Sequence, residues 1–212
     1  MQTPLIPALL LRCTPAAMAE DAVRDCAEQV LEMAQGQIAR IEWSRDLARQ
    51  WLYGYAWLST ACQAPDALSR RLAALLDETW PTSRNEVFSM TPVQAIAGAQ
   101  AGAAPFHYVV ETDIDPAIEA DLTAWYEQEH LPGLAAVPGT RMTRRFVFSN
   151  AEGGQRSLAC YDLASTEVKQ SEPWLAIRAT AWSSRVRPHF KNYHNAMCRR
   201  EVDLSWEGNV HA

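Results

Sequence analysis

The sequence is poor in lysine and has no histidine in its first hundred residues. Lysine occurs only at Lys169 and Lys191, and arginine supplies the rest of the 19 basic residues. The 25 acidic residues leave a net charge of −6. Nucleic acids and anionic membrane surfaces are bound by concentrated basic groups, so we expect neither among the partners of this chain.

Several motifs of known chemistry are also missing. The chain contains no glycine-rich phosphate loop, no GxSxG, and no HExxH or CxxC, which argues against nucleotide use, a serine nucleophile of that type and a zinc site of ordinary spacing. The five cysteines form no regular framework, so reduced thiols in a cytoplasmic protein are expected. The apolar stretch 5–11 is interrupted by Pro7 and followed by Arg12, which predicts a strand rather than a signal peptide or a transmembrane segment.

Hydrophobic periodicity predicts a first unit with the order β-α-β-β-α-β. After a strand at 5–13, Thr14-Pro15 suits a helix start, and apolar residues recur at three- and four-residue steps until Gly36. Pro65-Asp66 opens a second helix. The remaining predicted strands of this unit are 38–43, 51–62 and 85–90.

The same order begins again about 100 residues later. Asp115-Pro116 repeats the predicted helix start, a hairpin contains Gly153-Gly154, and a helix at 165–179 is broken near Pro173. The predicted strands are 106–112, 140–149, 156–163 and 192–201. A repeat of this length indicates a domain duplication rather than a solenoid.

These patterns predict an α+β fold of two tandem ferredoxin-like βαββαβ units packed sheet to sheet as an α+β barrel. The predicted boundaries are 1–92 for a first, non-catalytic unit, 93–104 for a linker, and 105–212 for a second unit that carries the site. Two units in one chain can cover each other's bare sheet face, so we expect either a monomer with an internal pseudo-dimer or a homodimer.

The segment 125–133 is the richest in chemically useful side chains. It lies near the end of a predicted helix, where a cationic group is favoured, so the pKa of His130 is expected to be raised. Glu127 and Tyr126 precede His130 by three and four residues and are expected to share its face. This predicts His130, Glu127 and Tyr126 as catalytic residues. The alternative is a half-exposed histidine that caps carbonyls, with Glu127 and Glu129 solvated.

A second cluster, 182–194, joins the last predicted helix to the last strand. Its mixture of tryptophan, arginine, histidine and tyrosine suits the wall of a pocket for an anionic or aromatic ligand. A surface loop with arginine–carboxylate pairs is an equally reasonable interpretation. The predicted substrate-binding residues, drawn from both clusters and the flanking strands, are Trp125, Arg145, Trp182, His189, Tyr193 and His107. His189 and His194 are too weak a signal to predict a metal site.

The second unit resembles the dimeric α+β barrel superfamily, and especially its EthD-like members. The resemblance is carried by a helix ending Trp-Tyr-x-x-Glu-His-Leu-Pro at 125–132, the pairs Pro138-Gly139 and Pro173-Trp174, and the run 182–190. It covers about half of the chain, 106–201. The first unit fits by pattern alone, because Met33 stands where the second unit has His130. The resemblance implies a barrel that works without metal or organic cofactor, with His130 as the working residue.

Four functions follow from the residues and the resemblance together. The first is a cofactor-independent lyase that eliminates water, carbon dioxide or an aldehyde from a small oxygenated, aromatic compound, with His130 moving a proton and Glu127 or Glu129 orienting it. The second is a cofactor-free monooxygenase of the same fold. A non-catalytic protein that binds small ligands and a haem-degrading enzyme are the third and fourth.

Overall fold

The computed structural model describes residues 3–149 and 154–207, which form two compact units. The first unit comprises Ile6–Thr91 together with the chain from Cys198 onward, and the second comprises Pro92–Met197 together with the segment up to Leu5. The predicted division assigned every residue after 104 to the second unit. The structure differs because the last strand, which begins in the second unit, continues into the sheet of the first.

The first unit is an antiparallel sheet covered by two helices. Its sheet order is β4–β1–β3–β2–β8, where β8 contributes its second half. The elements are β1 (Ala8–Thr14), α1 (Glu20–Ala34), β2 (Ile38–Asp46), β3 (Leu52–Leu58), α2 (Pro65–Thr79) and β4 (Arg84–Ala97). The predicted linker is therefore shorter than expected, because β4 runs on to Ala97.

The core of the first unit forms where apolar helix faces meet the sheet. Val23, Cys26 and Val30 recur along α1 at helical spacing, and Leu68, Leu72 and Leu76 do so along α2; all are buried. The prediction that Thr14-Pro15 opens α1 is wrong. Thr14 ends β1, and the helix begins at Glu20.

The second unit has the same order of strands and helical segments, with more irregular helices. Its sheet order is β8–β5–β7–β6–β4, and the β5–β7 and β7–β6 pairs are antiparallel. The elements are β5 (Phe106–Asp113), α3 (Glu119–Trp125), a π-helical turn (Tyr126–His130), α4 (Leu131–Ala135), β6 (Thr140–Ser149), β7 (Gln155–Leu163), a 3-10 turn (Thr166–Gln170), α5 (Glu172–Arg178), α6 (Ala181–Val186), a second 3-10 turn (Arg187–His189) and β8 (Lys191–Ser205).

Two local predictions for the second unit need correction. Asp115-Pro116 does not open a helix, because Asp115 accepts a hydrogen bond from the backbone N–H of Ala117 in a turn and α3 begins at Glu119. The run after Ala181 is helical rather than a loop, and Thr180 caps it by accepting from the N–H of Ser183. No helix in the described part of the chain is long and apolar enough to cross a membrane.

Candidate active site

A narrow cleft opens between the helices and the sheet of the second unit. The space between its lining atoms is about 360 Å³, a figure that includes the part open to solvent. Aromatic, apolar and basic side chains line it: Tyr108, Val110, Trp125, Tyr126, His130, Leu134, Tyr161, Trp174, Arg178, Arg187, Phe190 and Tyr193. The cleft therefore combines flat apolar walls with a small number of polar groups.

The π-helical turn decides which side chains of the 125–133 segment meet. The N–H of Leu131 bonds to the carbonyl of Tyr126, five residues earlier, so the helix widens at this turn. In a regular α-helix two side chains five residues apart would point about 140° apart. Here the rings of Trp125 and His130 stack, with their centroids 4.0 Å apart and their planes at 24°. Tyr126 meets His130 edge to face at 5.6 Å.

His130 is a buried, neutral imidazole. Only 7% of the residue is exposed, and its Nδ1 atom has no hydrogen-bond partner in the described part of the chain. Burial, and after it the positive charges of Arg187 and Arg178, lower the pKa of His130 to about 3. The predicted rise in pKa is therefore wrong. The helical backbone continues through His130 to Ala135, so the imidazole does not lie at a helix C-terminus.

Three tyrosines surround the cleft and remain protonated at neutral pH. Burial raises the pKa of Tyr126, Tyr161 and Tyr108 above the usual value for a phenol. Tyr108 and Tyr161 face each other across β5 and β7 with ring centroids 5.9 Å apart, and Tyr161 meets His130 edge to face at 6.5 Å. The cleft thus pairs one proton acceptor with several phenolic hydroxyls.

Two arginines supply the positive charge of the cleft. Arg178 ends α5 and Arg187 begins the turn after α6, and both are half-buried. No aspartate or glutamate is among the described residues that line the cleft. Neither guanidinium pairs with a carboxylate in residues 3–149 and 154–207.

The helix α6 holds the histidine turn in place from outside the cleft. The indole Nε1 of Trp125 donates to Ser183 Oγ at 3.2 Å, and the hydroxyl of Thr180 donates to Glu129 Oε1 at 2.7 Å. Glu129 therefore anchors the turn to α6. The predicted orienting role of Glu129 on the imidazole finds no support, because no hydrogen bond joins it to His130.

Glu127 does not share a face with His130, contrary to the prediction. Glu127 is exposed and lines a separate cleft beside Pro132 and β4, and its carbonyl accepts a hydrogen bond from Gln94 Nε2 at 3.1 Å. The three-residue spacing that aligns side chains on an α-helix fails here because the π-helical turn rotates Glu127 away.

Arg145 lies behind the cleft rather than in it. Its guanidinium carbon is 4.8 Å from the ring centroid of Tyr126, and its Nε donates to Ser157 Oγ at 3.1 Å. The buried guanidinium thus packs against the face of the Tyr126 ring in a cation–π contact. The sequence predicted Arg145 as a substrate-binding residue, but Arg145 is not among the residues that line the cleft.

Three other predicted binding residues also lie away from the cleft. Trp182 donates from Nε1 to Asp121 at 2.9 Å, and His189 is exposed. Because side chains alternate along a strand, His107 lies on the opposite sheet face from Tyr108, where its Nδ1 is 2.8 Å from Asp162. Trp125, Tyr126, His130 and Tyr193 are the predicted residues that the structure brings together. His211 lies outside the described residues.

Several lining residues were missed by the sequence analysis. Tyr108 and Tyr161 could have been found from strand alternation, since both point to the helix-covered face of predicted strands. Trp174 and Arg187 lie in segments that carry the resemblance, but the sequence analysis gave neither residue a function. Arg178 carried no signal at all.

Among the residues that the structure describes, no group of three or more histidine, cysteine, aspartate or glutamate side chains could hold a metal ion.

Comparison with known proteins identifies the fold. An anthrone oxidase-like protein matches 100% of this chain and 99% of its own at a TM-score of 0.68 and 13% identity. A protein that bears the name monooxygenase, from Lactobacillus acidophilus, matches 94% of this chain and 96% of its own at 0.61 and 13% identity. A ferredoxin fold protein related to antibiotic biosynthesis monooxygenases, from Listeria monocytogenes, matches 92% and 95% at 0.51 and 11% identity.

The chain has the ferredoxin-like α+β fold. This confirms the fold class predicted from the sequence. No protein-family model matches the sequence, and no curated protein matches it either. At identities of 11–13% the structural likeness shows a common fold and leaves the reaction to be argued from the cleft itself.

The depressed pKa of His130 predicts an acid-sensitive stability. Between pH 6.5 and about 3 the unfolded chain binds a proton at this imidazole and the folded chain does not, so the free energy of unfolding falls as the pH falls. One such proton contributes a slope of about 1.4 kcal/mol per pH unit. We expect urea unfolding at pH 7, 6, 5 and 4 to show a steeper loss for the wild type than for a His130→Gln variant.

A matched control separates this effect from general acid unfolding. His189 is exposed on a turn of the same unit, so a His189→Gln variant is expected to keep the wild-type slope. Equal slopes for the wild type and the His130→Gln variant would show that His130 takes up a proton in the folded chain.

Proposed function

We propose that this chain is an enzyme that removes a proton from a small oxygenated, aromatic compound, with His130 as the base. The observation that carries the proposal is the neutral imidazole of His130, held against Trp125 inside a cleft of aromatic side chains. A neutral imidazole has a free lone pair for a proton, and flat aromatic walls suit a flat substrate.

The unpartnered Nδ1 atom of His130 supports this assignment. A buried polar atom without a hydrogen bond costs about 1–3 kcal/mol. The Trp125 stack and the edge contact with Tyr126 hold the ring in one orientation. A substrate group that reaches this nitrogen would supply the hydrogen bond that the described part of the chain does not.

The tyrosines suit the charge that proton removal creates. When a C–H beside a carbonyl or phenol loses its proton, negative charge develops on the oxygen, and protonated hydroxyls stabilise it. Tyr126, Tyr161 and Tyr108 stay protonated because burial raises the pKa of each phenol. His130 and these hydroxyls therefore form a base and a set of donors in one cleft.

Of the reactions open to the resulting enolate, this cleft best supports oxidation by molecular oxygen. That is the reaction of a cofactor-free monooxygenase. An activated CH₂ loses its proton to His130, the carbanion adds molecular oxygen, and loss of water leaves a carbonyl; the four electrons come from the substrate. The names of two structural neighbours, anthrone oxidase-like and monooxygenase, agree with this chemistry. The apolar aromatic lining suits oxygen, which is itself apolar.

The lyase inferred from the sequence is a second candidate. An elimination needs a base and a proton donor for the leaving group, and the cleft contains both in His130 and the protonated hydroxyls of Tyr161 and Tyr108. The raised pKa of these phenols makes them weaker acids than a typical catalytic donor. This is why we place elimination second.

The broader assignment also stays a proposal. We infer that the two units derive from a duplication, because both have the strand and helix order β-α-β-β-α-β, and that the second unit is EthD-like. The working histidine belongs to the second unit alone, since Met33 takes the matching place in the first. We also propose that the enzyme is cytoplasmic and works as a monomer or a homodimer.

Haem does not fit this cleft. The space of about 360 Å³ already includes the part open to solvent, and His130 is the one imidazole among the described residues that line it. His189 is exposed and outside the lining, so it offers no second axial ligand there. We therefore derive no step through haem.

An oxygen electrode and product analysis test the proposed function. We would present the purified protein with anthrone, hydroxynaphthoates and hydroxylated aromatic lactones, in air and under nitrogen. Product formation that consumes one oxygen molecule per turnover supports the monooxygenase, and product formed equally under nitrogen supports the lyase. Binding with no product in either atmosphere would reject catalysis and favour a ligand-binding protein.

A further inference from the structure

The two arginines that line the cleft have no acidic partner in the described part of the chain, unlike several arginines elsewhere in it. Arg12 pairs with Glu86 at 2.8 Å, Arg45 with Glu201 at 2.6 Å and Arg185 with Asp121 at 2.8 Å. Arg178 and Arg187 pair with no carboxylate in the described part of the chain. The chain has 25 acidic residues against 19 basic ones, yet no aspartate or glutamate is among the described residues that line this cleft.

Two half-buried guanidiniums that line one cleft are unfavourable in the empty protein. A partly desolvated charge without a counter-ion costs free energy, and two like charges in one cleft repel each other. A ligand with a negative charge relieves both costs at once. The planar N–H groups of a guanidinium match the two oxygens of a carboxylate better than an ammonium group would.

The remaining walls define the rest of the ligand. Trp125, Trp174 and Phe190 line the cleft beside the arginines, and Tyr161 meets Trp174 edge to face at 5.2 Å. Such flat apolar surfaces favour an aromatic ring system.

We propose that Arg178 and Arg187 bind the carboxylate of an aromatic acid whose rings lie against Trp125 and Trp174. This inference rests on the proposed function, since it names the class of substrate for the His130 site. The substrate is then an aromatic monoanion. Two guanidiniums without a carboxylate partner bind this anion more tightly than the neutral amide of the same shape.

Binding such an anion also prepares the base. The described groups with polar or charged side chains that line the cleft around His130 are Tyr126 on its own turn, Tyr161 on β7, Tyr108 on β5, Tyr193 on β8, Arg178 on α5 and Arg187 after α6. The two arginines both lower the pKa of His130, after burial itself. A carboxylate that neutralises them raises this pKa, so the imidazole becomes a stronger base when the substrate is present.

Calorimetric titration with 2-naphthoate and its neutral isostere 2-naphthamide tests the proposal. We expect 2-naphthoate to bind and the amide to bind at least tenfold more weakly. Arg178→Gln and Arg187→Gln should each weaken naphthoate binding tenfold or more and leave amide binding within twofold. The matched control is Arg185→Gln, which removes an arginine that is exposed on the neighbouring helix and paired with Asp121. It should bind like the wild type.

A second readout follows the imidazole itself. In a histidine-selective NMR titration, 2-naphthoate should raise the pKa of His130, and the Arg178→Gln/Arg187→Gln double variant should show a raised value without any ligand. Equal binding of naphthoate and naphthamide, unchanged binding in both arginine variants, or no binding of either compound at millimolar concentration would overturn the proposal. These tests need no turnover. Recognition of the carboxylate can therefore fail while the enzyme assignment stands, and the enzyme assignment can fail while the carboxylate still binds.

Discussion

A His130→Gln variant is expected to lose turnover by a factor of about 10²–10⁴, the usual contribution of a positioned general base. The imidazole is the one neutral basic group among the described residues that line the cleft, so its loss leaves no other side chain to accept the proton. The tyrosines cannot replace it, because burial raises the pKa of each phenol and keeps it protonated.

Binding should survive this substitution. The arginines and the aromatic walls stay in place, so the dissociation constant of 2-naphthoate is expected to change by no more than a few-fold. That measurement also shows that the variant folds. His189→Gln is the matched control and should keep full turnover, since His189 is exposed and outside the cleft. Full turnover by the His130→Gln variant would remove His130 from the chemistry.

The pH profile gives the same assignment an independent check. The pKa of His130 in the free protein is lowered to about 3, so the imidazole is already neutral well below pH 6.5. The acid limb of kcat/KM, which reports the free enzyme, should therefore lie far below pH 6.5. A limb near pH 6.5 that disappears in the His130→Gln variant would show that the imidazole is solvated in solution.

The second large effect is expected from Gly54→Ala in the first unit, which should lower the free energy of unfolding by about 1–3 kcal/mol. Gly54 lies opposite Trp43 in the β2–β3 register, and a Cβ atom there would come within 2.6–2.8 Å of three atoms of the indole ring. Trp43 is fully buried and packs edge to face on Trp80 at 5.7 Å, so the ring has little room to move.

A double-mutant cycle identifies the cause of this loss. Trp43→Leu removes the ring atoms that the new methyl group would strike, at a cost of its own of about 3 kcal/mol. In the Trp43→Leu background, Gly54→Ala should cost much less than it does in the wild type. Urea denaturation of the four proteins measures both steps. An equal cost in both backgrounds would place the strain in the strand backbone instead of the indole contact.

The succession of elements could be predicted from the sequence because it depends on local periodicity. Apolar residues at helical steps along α1 and α2 marked both helices of the first unit, and the hairpin of β6 and β7 was found between turn residues. Element ends were less accurate. Thr14 and Asp115 have side chains that favour helix starts, but each lies several residues before the helix that follows.

His130 was found for a similar local reason, since a helical segment of unusual composition surrounds it. Its neighbours were harder to predict. Glu127 was placed beside it on the assumption of regular helical geometry, and the π-helical turn breaks that assumption. The sign of the pKa shift was also wrong, because burial and two arginines from distant segments decide it.

The sequence by itself determined the α+β class, the repeated strand and helix order and the histidine segment, because neighbouring residues specify helices, strands and turns. Tertiary structure alone decided which side chains share the cleft. Arg178 and Arg187 come from separate helical segments, and Tyr108 and Tyr161 from paired strands 53 positions apart, so no local pattern brings them together. Their convergence on His130 depends on the packing of helices on a sheet, and burial there sets the protonation of the imidazole.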